Sequence, residues 1–303
     1  MIINKVWIII DAGGTYLKSA ILQREGAICA SSCFSVPSFS QGSLSQIKSA
    51  FVEVLSHGIS YCQKGNLEMV GVGISIPGPF DYQKGISLMK HKYQSLYGFD
   101  MRTFLLSTGC LPVDIPIWFV HDVNAVLAGE MWKGNARSFK NVVTVTLGTG
   151  LGFACALNRK IQCSDLGSPL FTLYNKPFRA GLLEDYVSQR GFLRFYQKLT
   201  SVNCDALMTV KSLAEQALQG DSLSKQVFQK VATILAENMC TFLVEKQVEC
   251  VLFGGQISRS FGLMARELQK QLSIVPSLKK IDVVSSIDYA AFWGTLSYYI
   301  KEK

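Results

Sequence analysis

Twice in this chain an apolar run breaks off at a glycine-rich turn and then resumes: "WIIIDAGGTYLKSAIL" at residues 7–22 and "VVTVTLGTGLGFACAL" at residues 142–157. Val6 to Ile10 has the continuous apolar character of a strand buried on both faces, and Ser19 to Leu22 reads as its partner after a tight turn. The second run repeats that pattern in the other half of the sequence. Two such hairpins, each followed by alternating strands and helices, predict an α/β chain made of two similar halves.

The intervening segments fit. "EMVGVGISIPGPFD" carries a strand stopped at Pro77-Gly78-Pro79, and "IPIWFV" (residues 115–120) a strand that ends at His121 and Asp122. From there "DVNAVLAGEMW" changes to helical spacing. Ser222 to Gln247 predicts a long amphipathic helix with Val227, Phe228, Val231, Ile234 and Leu235 on its apolar side. "VECVLFGGQISRS" reads as strand, Gly254-Gly255 turn and helix, and "DYAAFWGTLSYYIK" as a terminal helix. No linker rich in proline, glycine or serine separates the halves, so they are expected to share an interface with a cleft.

At 303 residues, 49% hydrophobic and 17% charged, the chain has a globular composition and room for one large or two medium domains. The net charge of +8 could point to an anionic polymer. The basic residues are scattered, however, in nothing denser than pairs such as Lys279-Lys280, with no basic arm, so nucleic acid is not the expected partner. Nine cysteines without a CxxC pair, and only His57, His91 and His121, fit neither a zinc finger nor a disulfide framework. Free, buried thiols in a reducing cytoplasm are expected. The apolar N-terminal stretch meets Asp11 too soon to be a signal peptide or membrane span, so a cytoplasmic protein without a membrane partner is expected.

The turns carry the chemistry. Gly13 and Gly14 let the backbone bend sharply and leave N–H groups uncovered, so that a phosphate can approach closely. Thr15 adds a hydroxyl donor and Lys18 a positive charge. Asp11, at the end of a buried strand, is costly as a bare carboxylate and makes sense facing a Mg²⁺ ion or its waters. Gly148-Thr149-Gly150 offers the same donors in the other half, and two such turns facing each other would grip a polyphosphate. On the residues alone the plainer reading, glycines that merely make hairpins, stays open. No GxxxxGK(S/T) occurs, and Asp11–Thr15 does not satisfy GxGxxG, so neither a P-loop nor a dinucleotide fold is expected.

"DAGGTYLK", "GVGISIPGPFD", "HDVNAVLAGE", "VTLGTGLG" and "VLFGGQIS", in this order across nearly the whole chain, resemble the ROK family of sugar kinases and sugar-responsive repressors, within the actin/Hsp70/hexokinase-like ATPase superfamily. The resemblance implies two RNase H-like domains around a central nucleotide cleft. Residues 1–121 with the terminal helix 289–303 would form the N-terminal domain, and residues 122–288 the C-terminal one. It also implies ATP and Mg²⁺ as cofactors, with Asp11 meeting the ion through water. Gly13, Gly14, Thr15, Lys18, Gly148, Thr149 and Gly150 would surround the phosphates, and Gly254 and Gly255 would lie against adenosine. Asp122 matches the catalytic aspartate, placed to take the proton of the sugar hydroxyl that attacks the γ-phosphate; as a residue type at a strand-to-helix junction it is also a simple N-cap. Gly78 and His121 fall at sugar-side positions, and homodimers are frequent in the family.

The sugar side departs from the family. His121 stands where an asparagine is usual, and His91, Lys92 and Tyr93 stand where a sugar-contacting asparagine is usual. In residues 158–183 the Gly-Glu-x-Gly-His segment and the cysteine-rich zinc loop are missing, and Cys163 alone cannot build a zinc site. "GLLEDYVSQRG" matches the stretch after that loop, which puts Glu184 either on a sugar contact or at an ordinary acidic helix start. The resemblance therefore implies a glucokinase-like kinase acting on a hexose or amino sugar. A catalytically silent sugar-binding or regulatory protein is the alternative, because the sugar segment has diverged; it is expected to lack a DNA-binding domain, since residue 11 comes too early for one before it. An ATPase acting on something other than a sugar is a third.

Overall fold

β1 (Lys5–Ala12) and β2 (Tyr16–Gln23) form the first hairpin, with Val6 opposite Gln23 and Ala12 opposite Leu17. The computed structural model describes residues 4–112, 114–200 and 208–301, and Cys204 lies outside them. The chain continues through β3 (Phe34–Pro37), α1 (Leu44–Lys64), β4 (Glu68–Ile76), the short pair β5 (Phe80–Asp81) and β6 (Ile86–Ser87), α2 (Met101–Ser107), β7 (Ile117–His121) and α3 (Asp122–Trp132). The five-stranded sheet runs β3-β2-β1-β4-β7, with β4 parallel to β1 and β7 parallel to β4. Both of its faces are covered, which explains the unbroken apolar run in β1. Val6, Ile8 and Ile10 join Ile47, Phe51, Val54 and Leu55 of α1, whereas Trp7 and Ile9 join Phe292 and Leu296 of the terminal helix α9 (Ala290–Lys301).

The second half repeats this plan. β8 (Val142–Leu147) and β9 (Leu151–Leu157) make the hairpin, followed by β10 (Lys160–Ile161), β11 (Pro177–Phe178), β12 (Gly181–Leu182), α4 (Glu184–Val187), α5 (Gln189–Thr200), α6 (Val210–Leu218) and α7 (Ser222–Glu245). β13 (Cys250–Gly254), α8 (Gly262–Leu272) and β14 (Lys280–Val283) complete it. The sheet order, β10-β9-β8-β13-β14, has the same antiparallel hairpin and the same two parallel strands. A 3₁₀ segment at Gln256–Ser260 precedes α8, so the helix does not follow Gly254-Gly255 directly. Among the described residues α7 is the one helix long and apolar enough to cross a membrane, and Val227, Phe228, Val231, Ile234 and Leu235 lie in the core of this half.

By packing, residues up to Lys133, Cys163–Pro169 and those from Tyr289 onward form one unit, and Gly134–Gln162 with Leu170–Asp288 form the other. α3 thus packs with the first unit. The cause is the contact of α3 with α9, where glycines bring the two backbones together: a Cβ on Gly129 would overlap the Ala290 carbonyl, and one on Gly294 the Ala125 carbonyl. No disulfide links the described cysteines. Cys62, Cys155 and Cys250 are buried, but Cys33, Cys110 and Cys163 are exposed, contrary to the expectation of buried thiols throughout.

Glu249 ties three strand starts of the second unit together. Its carboxylate accepts from Lys279 Nζ (2.7 Å), Lys140 N–H (2.7 Å) and Asn141 N–H (3.2 Å). The Lys279 bond, with the two backbone donors, pulls its pKa down to about 2. A depressed acid adds stability above its ordinary value, about 4.5, and loses that contribution as pH falls through about 2. Glu249→Ala should cost about 1–2 kcal/mol at pH 7, the exposed lysine counting least because water screens it. Urea unfolding at pH 7 and pH 3 checks this: the gap between wild type and variant should narrow in acid.

Candidate functional site

The parallel strands of the first unit bring their C-terminal ends together, the usual place for a ligand in such sheets. Asp11 of β1 lies opposite Ser75 of β4, and Ile76 lies opposite His121 of β7, with Asp122 next in the chain. Ser75 Oγ donates to Asp11 Oδ1 at 2.7 Å. Burial raises the Asp11 pKa, the Ser75 bond opposes this, the charge of Asp122 raises it further, and Lys18, opposite in register on β2, lowers it. The two carboxylates therefore feel each other.

Asp122 is held in the opposite sense. Desolvation pushes its pKa up, but the charge and hydrogen bond of His121, then Lys92 and the Val123 N–H, outweigh this and keep it below the usual carboxylate range. His121 Nδ1 lies 2.8 Å and Val123 N 2.7 Å from the same oxygen, Asp122 Oδ1. Val123 N also lies 3.3 Å from His121 Nδ1. With the proton on Nδ1, the imidazole donates to Asp122 and the Val123 N–H goes to the nearer carboxylate oxygen. Oδ2 has no partner among the described residues, and the side chain is 42% exposed.

The first glycine turn is fixed through its carbonyls. Tyr93 Oη donates to Gly13 O at 2.8 Å, Ser40 Oγ to Gly14 O, and Ser38 N–H to Thr15 O at 2.9 Å. The Gly13 N–H closes on Tyr16 O at 3.0 Å, so it is not available to a ligand. The N–H groups of Gly14 and Thr15 and the Thr15 hydroxyl have no partner among the described residues, and both residues are exposed. The backbone donors left open at this turn are thus those of Gly14 and Thr15. Gly78 packs against His121, its Cβ position lying 3.3 Å from Cδ2 of the imidazole and 3.3 Å from Tyr82 Oη. Cys163–Pro169 docks beside it. Asn124 Nδ2 donates to Gly167 O (3.2 Å) and lies 3.3 Å from Cys163 Sγ, and Tyr82 N–H donates to Leu166 O at 3.1 Å.

The second unit groups Gly148, Thr149, Gly150, Gly254 and Gly255 at the ends of the neighbouring strands β8 and β13. The Gly148 N–H closes on Gly150 O at 3.1 Å, which leaves the N–H groups of Thr149 and Gly150 and the Thr149 hydroxyl without partners among the described residues. The same device therefore occurs in each half. Gly255 has φ +79°, and a Cβ there would overlap the Leu147 carbonyl, so packing alone requires glycine. Glu184 Oε2 accepts the Leu151 N–H at 2.8 Å, at the exit of the turn.

Among the described residues no group of three or more His, Cys, Asp and Glu side chains could hold a metal. Mg²⁺ needs no such cage, because it keeps several waters and binds one or two carboxylates with substrate phosphates. Asp11, desolvated and within electrostatic reach of Asp122, is a donor of that kind.

The profile of the ROK family matches residues 7–168 and 178–297. The unmatched residues 169–177 fall within the segment that departs from the family. A glucokinase of Halalkalibacterium halodurans is 23% identical over 282 residues, covering 86% of this chain and 83% of its own length. Among solved structures, a ROK family glucokinase from Streptomyces griseus in complex with glucose and AMPPNP superposes with a TM-score of 0.79 at 18% identity, over 97% of this chain and 98% of that one. A ROK family transcriptional regulator, homolog of the E. coli MLC protein, superposes with a TM-score of 0.80 at 16% identity, over 99% of this chain and 78% of that one. Likeness at these identities is likeness of fold, the actin-like ATPase fold.

Proposed function

This chain belongs to the ROK family, and on that premise we propose that it is a glucokinase-like sugar kinase, transferring the γ-phosphate of MgATP to a hydroxyl of a hexose or amino sugar with Asp122 as base. The observation that carries the assignment of the base is the state of Asp122. Its Oδ1 is engaged by His121 and Val123, it is held ionised at neutral pH, and Oδ2 is left to accept a proton. Phosphoryl transfer asks mainly for positioning and charge stabilisation, with a carboxylate to orient the attacking hydroxyl. His121, packed against Gly78, orients Asp122 and is the nearest candidate to touch a sugar hydroxyl.

In each unit the glycine turn, at Gly14-Thr15 in the first and at Thr149-Gly150 in the second, carries open N–H groups and a hydroxyl suited to phosphate oxygens, and Lys18 adds charge beside the first. Gly254 and Gly255 keep the backbone open for adenosine. Asp11 is the residue that would hold Mg²⁺, partly through water. When bound, the ion would neutralise charge on the phosphoryl oxygens. A cytoplasmic location goes with this reading, since MgATP is abundant there.

The kinase names among the relatives support a hexose acceptor, and the likeness to a regulator keeps one competing reading in view. ADP release with MgATP against hexoses, hexosamines and N-acylated amino sugars separates the two. The kinase reading expects at least one sugar to raise ADP release well above the sugar-free background. Tight sugar binding without such release would assign the chain a sensing role instead.

A further inference from the structure

From the bonds around the second glycine turn we infer that Glu184 is a positioning residue for the nucleotide, holding Gly148-Thr149-Gly150 in the shape that presents its free donors to phosphate. The inference rests on the reading of that turn as a phosphate site. Leu147 and Leu151 are the last paired residues of the β8–β9 hairpin, and the turn lies between them. The segment 184–189 grips both of its ends. Glu184 Oε2 takes the Leu151 N–H at 2.8 Å, and the Gln189 N–H donates to Gly148 O at 2.9 Å. Inside this bracket the Gly148 N–H turns back to Gly150 O, so the N–H groups of Thr149 and Gly150 are the ones left without partners among the described residues.

A carboxylate is a strong acceptor for a backbone N–H, roughly twice as strong as a neutral one. Glycine-rich turns are soft, because glycine has the most backbone freedom to lose. A charged acceptor 33 residues away in sequence is what fixes this one. Glu184 is only partly exposed, at 24%, and its other oxygen lies 3.4 Å from Arg190 Nη2, which also pairs with Asp185 at 3.1 Å. Arg190 is 60% exposed, so this ion pair is a minor contributor. The resemblance implies a sugar contact at this position; in the structure one of the two carboxylate oxygens is engaged by the turn.

The test is the affinity of the full chain for MgAMPPNP, measured by calorimetry, beside the KM for whichever sugar supports turnover. Glu184→Ala should weaken MgAMPPNP about tenfold or more and change the sugar KM by less than about twofold. Glu184→Gln should recover most of the affinity, because its amide oxygen still accepts the Leu151 N–H. Arg190→Ala should stay near wild type. Unchanged nucleotide affinity in a folded Glu184→Ala, or a defect confined to the sugar KM, would overturn the inference while leaving the kinase reading in place. A wild-type chain that binds no nucleotide would overturn both.

Discussion

Asp122→Asn is expected to lower sugar-dependent ADP release by between about 10²- and 10⁴-fold, the range for loss of a general base. The amide oxygen can still accept the Val123 N–H, so the start of α3 and its helix should survive. The basic oxygen, Oδ2, would be gone. MgAMPPNP affinity should fall by less than about threefold, because removing the Asp122 charge relieves Asp11 rather than disturbing it. Steady-state kinetics and calorimetry on the same preparation give both numbers. Activity within tenfold of wild type would mean that another group takes the proton.

The second large effect is structural and lies well away from the chemistry. Gly294→Val should destabilise the chain by about 3 kcal/mol, near the upper end for overpacked sites, because its side chain would occupy the place of the Ala125 carbonyl. The neighbour is backbone rather than a flexible side chain, so relief requires α9 to move off α3. Trp118 Nε1, which donates to Thr295 O at 2.8 Å, would be loosened with it. Since α3 begins at Asp122, turnover should fall along with stability. Gly262→Ala is the control: nothing lies within 4 Å of its Cβ position and it opens α8, so it should be neutral or slightly stabilising. Urea denaturation of both variants checks the pair, and equal midpoints would contradict the α3–α9 account.

Much of the scaffold was legible because its strands are buried on two faces. The runs that became β1, β7 and β13 announce themselves by unbroken apolar character, β4 and β8 by apolar residues alternating with glycine or threonine before a glycine turn, and α3, α7 and α9 by spacing. α1 is absent from the expected elements although Ser43 and Gln46 form a capping box and Ile47, Ala50, Phe51, Val54 and Leu55 mark its buried face. β14 gives no such signal, since all four of its residues are only partly buried.

The candidate site was legible where a carboxylate or glycine interrupts an apolar run, as at Asp11, Asp122 and the two turns. The residues that hold these in place were not. Ser75 reaches Asp11 only through the parallel register of β1 and β4, which sequence does not give. Ser40 and Tyr93 hold Gly14 and Gly13 from 26 and 80 residues away. Lys92, standing where a neutral residue was expected, acts on Asp122 from a loop that Tyr93 ties to the glycine turn.

On the kinase reading the γ-phosphate of ATP ends on a sugar hydroxyl. Phosphorus NMR of the chain with MgATP and the sugar panel follows that atom directly. A sugar phosphate monoester resonance should grow in step with ADP and disappear in Asp122→Asn, as the kinase reading requires. Growth of inorganic phosphate alone, or intact ATP beside a chain that binds both nucleotide and sugar, would contradict it.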